Sequence, residues 1–240
     1  GKSEKARQIL DQDFRFNDWA PSLLDTKKNI AEYILSQLTL QDTVIIQGPP
    51  GTGKTYLIAE ICEKLCDKGK SVLVTALTNR ALIEIVEKPA VQELLENHRI
   101  FKTKLSVDEA RAFKDLQQTK EVSPQPGKLV LSTFYITSGQ AALSINEPPF
   151  DYVIVDEASQ ALLAMFGGAK LLGKVNIWIG DTKQLPPVVS LSDDIVNRKN
   201  YWALVDGLKA LTESTSIPIF QLTESHRLTE RATSYTGVFY

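Results

Sequence analysis

Gly48-Pro49-Pro50-Gly51-Thr52-Gly53-Lys54-Thr55 constrains this chain more than any other stretch. It satisfies G-x-x-x-x-G-K-[ST], and its surroundings matter as much as the pattern itself. The run Thr43-Val44-Ile45-Ile46-Gln47 before it reads as a short buried strand. After it, Leu57, Ile58, Ile61 and Leu65 form one apolar stripe of a helix from Lys54 to Lys68. Glycines at a strand-to-helix turn let the backbone wrap tightly and aim its N–H groups at phosphate oxygens. The helix N-terminus adds a partial positive charge. Lys54 supplies a point charge for the β- and γ-phosphates of a nucleotide, and Thr55 a hydroxyl ligand for Mg²⁺. A Gly/Pro-rich turn that happens to precede a lysine is the simpler alternative.

The strand-then-helix unit recurs. Ser71–Thr75, Leu129–Ser132, Tyr152–Val155 and Val175–Ile179 read as short apolar strands, with Ile217–Leu222 a further candidate. Helical spacing covers Ser22–Leu38 and about Asn79–Asn97. Such alternation predicts an α/β fold, a mostly parallel sheet with helices on both faces. The stretch from about 98 to 128 interrupts it and reads as a small helical insertion ending in the breaker Pro124-Gln125-Pro126-Gly127. The insertion carries a local excess of three positive charges. A solvated surface is the plainer account of that excess, and a nucleic-acid-facing accessory element the sharper one. Residues 1–21 read as a polar N-terminal extension, and residues 22–240 as one domain.

Composition narrows the class. A formal charge of -2 over 240 residues gives no global basic signature and argues against histone-like binding. No apolar run is long enough to span a membrane, and the N-terminus has no secretory core, so no membrane partner and an intracellular location, cytoplasmic or nuclear, are expected. Cys62 and Cys66 would share one helix face. Neither His98 nor His226 stands at metal-ligand spacing from them, so apolar packing in a reducing compartment is expected over a redox pair or half metal site.

Further polar groups follow the apolar strands. Phe150-Asp151-Tyr152-Val153-Ile154-Val155 ends in Asp156-Glu157. Parallel sheets collect ligands at the carboxyl ends of their strands, which sends both acids toward the phosphate crevice. Asp156 is then the candidate Mg²⁺ ligand and Glu157 the candidate general base for the attacking water. Gln184, in Gly180-Asp181-Thr182-Lys183-Gln184-Leu185-Pro186-Pro187, is placed to read a γ-phosphate, although the stretch is also compatible with a simple proline-stiffened turn. Arg227, after the last strand, is suited to bidentate phosphate pairing, or is a surface arginine.

Together these stretches resemble superfamily 1 helicases, in the 5′-to-3′ branch that includes RNA-decay helicases and related DNA helicases. The matches run in family order. Gly48–Thr55 is similar to motif I, Thr75–Ala81 to motif Ia, and Leu129–Phe134 to the Ser/Thr strand motif that touches nucleic acid. Asp156–Gln160 is similar to motif II, Gly180–Val189 to motif III, and Glu224–Leu228 to the Gln-Tyr-Arg motif closing the first motor domain. The resemblance covers roughly residues 24 to 240. Two residues depart from it. Lys28 stands where the family usually has a glutamine that recognises adenine, and a lysine cannot make a paired donor/acceptor contact. His226 stands where the family has a tyrosine that stacks on the base.

The resemblance implies a RecA-like P-loop NTPase domain that binds ATP and Mg²⁺, with Lys54, Glu157, Gln184 and Arg227 catalytic and His226 against the nucleotide. Single-stranded or partly duplex DNA or RNA is the implied partner. Thr78, Asn79, Ser132 and Thr133, at strand exits, are the candidate phosphate contacts, or ordinary caps and turns. The family's second RecA-like domain has no counterpart here. The chain is therefore expected to be a monomeric first motor domain that binds nucleotide with little turnover, within a parent that translocates on single strands and unwinds duplexes. Three alternatives remain: a protein-remodelling P-loop ATPase, a degenerate nucleotide-binding module, and the motor of a nuclease system.

Overall fold

The computed structural model describes residues 21–24, 27–143, 147–190, 193–198, 201–214 and 217–224. In chain order, β1 (Ser22–Leu23) and α1 (Ile30–Gln37) lead into β2 (Thr43–Gln47) and α2 (Lys54–Asp67). Next come β3 (Val72–Ala76), α3 (Asn79–Val86), a 3₁₀ turn at Pro89–Val91 and α4 (Gln92–Glu96). β4 (Ile100–Lys102), α5 (Val107–Ala112) and β5 (Gln117–Gln118) precede β6 (Leu129–Thr133) and α6 (Phe134–Leu143). β7 (Phe150–Val155), a 3₁₀ turn at Ala158–Gln160, α7 (Leu163–Leu172) and β8 (Gly173–Gly180) follow. The last elements are α8 (Asp193–Arg198), α9 (Trp202–Val205), α10 (Gly207–Ser214) and β9 (Ile219–Gln221).

Nine strands form one sheet in the order β1-β9-β2-β8-β7-β3-β6-β4-β5, every described pair parallel. Side chains alternate between its faces with period two. Val44 and Ile46 of β2, Val72 and Val74 of β3 and Ile177 and Ile179 of β8 pack under α1, α2 and α3. Ile45, Leu73 and Trp178 point the other way, onto Phe134 of α6, Phe166 of α7 and Leu211 of α10. The Trp178 ring meets Phe166 edge-on at 4.8 Å between centroids. Burial on both faces explains why these strands read as continuous apolar runs. Among the described residues no helix is long and apolar enough to cross a membrane.

Three segments differ from the sequence expectation. The helix expected over Ser22–Leu38 yields Ser22–Leu23 to the sheet, where β1 pairs with β9, and begins only at Ile30, capped by the Asn29 carboxamide. The helix expected over Asn79–Asn97 breaks at Pro89, which has no N–H to continue it. The stretch from 98 to 128 holds one helix, α5, but its strands extend the sheet: β4 pairs with β6 and β5 with β4. Two of its basic residues are structural. Arg99 bonds the Gly127 and Cys66 carbonyls and pairs with Asp67 at 3.0 Å. Lys102 is wholly buried.

Candidate nucleotide site

Parallel pairing brings the C-terminal ends of β2, β3, β6, β7 and β8 to one edge of the sheet, so the candidate residues converge there. The loop after β2 carries Gly51 and Gly53 at φ 86° and 80°, in the left-handed region that residues with a Cβ avoid. Gly53 is the N-cap of α2 and offers no side-chain acceptor, so the first amides of that 14-residue helix keep their donors. The Lys54 ammonium donates to the Gly48 and Pro49 carbonyls at 2.6 and 2.9 Å, folded into its own loop. The Thr52 hydroxyl donates to Pro49 at 2.9 Å and stiffens the same turn.

A cavity of about 740 Å³ opens beside this loop. Lys54, Thr55, Asp156, Glu157 and Gln184 all line it, as do Pro50, Gly51 and Gly53. Five residues from three separate stretches of sequence thus share one space. The buried Asp156 carboxylate accepts from the Glu157 amide at 2.8 Å. Burial pushes its carboxyl up to about 7; the Glu157 amide opposes that, the Glu157 charge adds to it, Lys54 opposes and the Glu84 charge adds again. Burial likewise raises Glu157, countered by donors from Thr78 and Leu77.

Asp156 therefore keeps its proton to higher pH in the folded protein than an ordinary carboxyl does. With the folded value above the unfolded one, its stabilising contribution is complete below about pH 4 and lost as pH rises through about 7. Asp156→Asn is expected to stabilise the nucleotide-free chain by on the order of 2 kcal/mol near pH 8, a few degrees in Tm, with no gain near pH 4. Thermal melts at the two pH values check this, and a variant less stable than wild type near pH 8 contradicts it.

Sequence reading missed Glu84, Lys88 and Tyr56, which line the same cavity. Glu84 sets a third negative charge near Asp156 and Glu157 and is paired with Arg80 at 3.2 Å. The Lys88 ammonium lies 4.6 Å from the Tyr56 ring centroid. One signal was available: Ala81, Glu84 and Lys88 are spaced by three and four, as on one helix stripe.

The candidate nucleic-acid contacts divide. Thr78 and Asn79 are exposed, and Thr133 is half-buried at the neighbouring strand exit. Ser132 is wholly buried, its hydroxyl accepting from Thr103 at 3.1 Å, so that hydroxyl serves packing between β6 and the segment after β4 rather than a surface strand. The assignments of Arg227 and His226 lie outside the described residues. Cys62 and Cys66 are buried in α2; burial raises Cys62 well above the usual thiol range and pushes Cys66 up to about 12, so both pack as neutral thiols.

A family model described as an AAA domain matches residues 31–190. The DNA replication ATP-dependent helicase/nuclease DNA2 of Saccharomyces cerevisiae is 33% identical over 171 residues, covering 69% of this chain and 11% of that protein. Its Schizosaccharomyces pombe namesake is 30% identical over 205 residues, 80% of this chain and 14% of that one. The chain thus spans a small part of the curated relatives it matches. Pif1 of Bacteroides sp, solved with ADP-AlF4, aligns over 84% of this chain and 43% of its own, at 18% identity and a TM-score of 0.48. With a model match across two thirds of its length and its phosphate loop, acid pair and glutamine around one cavity, the chain belongs to this AAA-domain family, and its motifs stand in the order of superfamily 1 helicase motor domains.

Proposed function

We propose that this chain is the nucleotide-binding domain of a motor that turns over ATP while moving along single-stranded nucleic acid. The observation that carries the reading is the convergence of Lys54, Thr55, Asp156, Glu157 and Gln184 on one cavity beside uncapped helix amides. Those amides take the phosphates, and Lys54 leaves its loop carbonyls for the β- and γ-phosphates. Thr55 and Asp156 suit Mg²⁺, a hydroxyl and a carboxylate being the hard oxygen donors it takes. When bound, the ion neutralises charge on the phosphate oxygens. Glu157 orients and deprotonates the attacking water, and Gln184 reads the γ-phosphate. Thr78, Asn79 and Thr133 hold the backbone of the strand without reading its sequence.

The curated relatives are named for DNA replication, which favours DNA as the strand, and their names join helicase to nuclease, which favours a motor module within a longer chain. The test has two parts. Titration of this chain with a fluorescent ATP analogue is expected to show Mg²⁺-dependent binding. Turnover by the full-length protein is expected to rise when single-stranded oligonucleotide is added. Binding indifferent to Mg²⁺, or turnover indifferent to oligonucleotide, would defeat the reading.

A further inference from the structure

Lys102 is the only charged residue among those described with no exposure at all. It ends β4, on the edge of the sheet where the candidate residues gather. An ammonium has three N–H donors, and all three are taken: Asn79 Oδ1 accepts one at 2.8 Å, Glu109 Oε2 another at 3.1 Å, and the Lys104 carbonyl the third. No donor is left for a ligand. Folding alone does not call for this arrangement, because apolar groups in place of a buried ion pair are often as stable. Asn79 is the partner that reaches outward, exposed in the first turn of α3. Lysine carries no acceptor, so the Asn79 atom facing it is the carbonyl oxygen, and the N–H2 group of the carboxamide points the other way. Among the described residues that N–H2 group donates to no protein acceptor. In the sheet order β3-β6-β4, the Asn79–Lys102 bond reaches across β6, the strand that ends in Thr133.

We propose that Lys102 is a positioning residue for single-strand binding. It holds the Asn79 carboxamide in one of its two orientations, with the N–H2 group outward toward a strand phosphate. Its charge polarises that group, so the outward N–H donates more strongly. The inference rests on the reading of Asn79 as a strand contact and adds what orients it. Without the lysine the carboxamide is released, and its carbonyl oxygen, which repels a phosphate, faces out as readily as its N–H2 group. Glu109 completes the arrangement. It neutralises the ammonium, and the capping box of α5 holds it in place. The segment from β4 to α5 thereby supports a contact made by α3, and takes part in strand binding without touching the strand.

The experiment measures the affinity of the full-length protein for oligo-dT of about 20 nucleotides, long enough to fill a single-strand groove, with a denaturant titration of each variant. Asn79→Ala is expected to weaken binding roughly fivefold, the worth of one hydrogen bond. Lys102→Met combined with Glu109→Gln, which leaves no lone buried charge, is expected to weaken it by about the same factor. All three changes together weaken it no further, because Lys102 acts through Asn79. A structural role alone gives losses that multiply. The slope of log Kd against log salt keeps its wild-type value when Lys102 is replaced, since the ammonium touches no phosphate. Asn79→Asp leaves Lys102 in place. Its carboxylate pairs with the buried ammonium, so this variant resists denaturant at least as well as wild type, yet it binds oligo-dT more weakly than Asn79→Ala because a negative group faces the phosphate. Losses that multiply, a salt slope lower by about one, or wild-type affinity in Asn79→Ala overturns the inference, while the motor reading stands. Lower stability or wild-type affinity in Asn79→Asp does the same. A wild-type protein that neither binds oligo-dT nor hydrolyses ATP faster in its presence overturns the motor reading itself, and this inference with it.

Discussion

Glu157→Gln is expected to lower ATP turnover roughly 10²- to 10⁴-fold, the usual worth of a positioned general base, while Mg²⁺–ATP binding persists. The two effects separate because different elements carry them. The amides proposed to hold phosphate come from the start of α2, Lys54 from its first turn, and Asp156 from the end of β7. The amides and Lys54 do not depend on the charge of Glu157, and removing that charge eases ionisation of Asp156. The glutamine keeps the size of the side chain and loses the proton acceptor. Single-turnover hydrolysis, paired with nucleotide titration, checks the outcome. Turnover within about threefold of wild type would remove Glu157 from the reaction and assign its contacts with Leu77 and Thr78 to structure alone.

Lys102→Met is expected to cost on the order of 3 kcal/mol of folding stability. The Lys102 side chain is wholly buried, and its ammonium donates to Asn79 Oδ1 at 2.8 Å, to Glu109 Oε2 at 3.1 Å and to the Lys104 carbonyl. Methionine fills a similar volume but leaves these acceptors without their donor. Glu109 is cushioned, since it also accepts from the Ser106 amide at 2.8 Å in the capping box of α5. The double variant Lys102→Met with Glu109→Gln is expected to recover part of the loss, because replacing both charges avoids an unpaired one. Denaturant titration of the three proteins measures this. A loss below about 1 kcal/mol in Lys102→Met would mean that water reaches the ammonium and the pair is superficial.

The same lysine shows where sequence reading stops. The five long strands were legible because burial on both faces writes continuous apolar runs, and the phosphate loop because its glycines, lysine and threonine have fixed spacing. The gathering of Asp156, Glu157 and Gln184 at one cavity was legible because each follows such a strand, and a parallel sheet sends all strand ends to one side. Ile100-Phe101-Lys102 was not, since a three-residue strand containing a charge carries no period-two signal. It becomes a strand through pairing with β6, and its lysine becomes a core residue through Asn79 and Glu109. Neither partner can be inferred from local pattern. Ser132 failed for a related reason: a hydroxyl at a strand exit looks available until Thr103 packs over it. Glu84 was hidden because its effect on Asp156 depends on how α3 lies across the sheet, a tertiary fact.

The ends of the sheet carry one more consequence. Its outermost described strands, Ser22–Leu23 and Gln117–Gln118, are two residues each. A margin so brief exposes few unsatisfied amides, far short of the roughly six-residue segments that stack into fibrils. The hydrophobic ribbons that could recruit another chain lie inside, flanked on either side by neighbours. The folded domain is thereby shielded from self-templated aggregation by its own geometry, and partial unfolding that bares β2 or β8 is the event that would remove that shield.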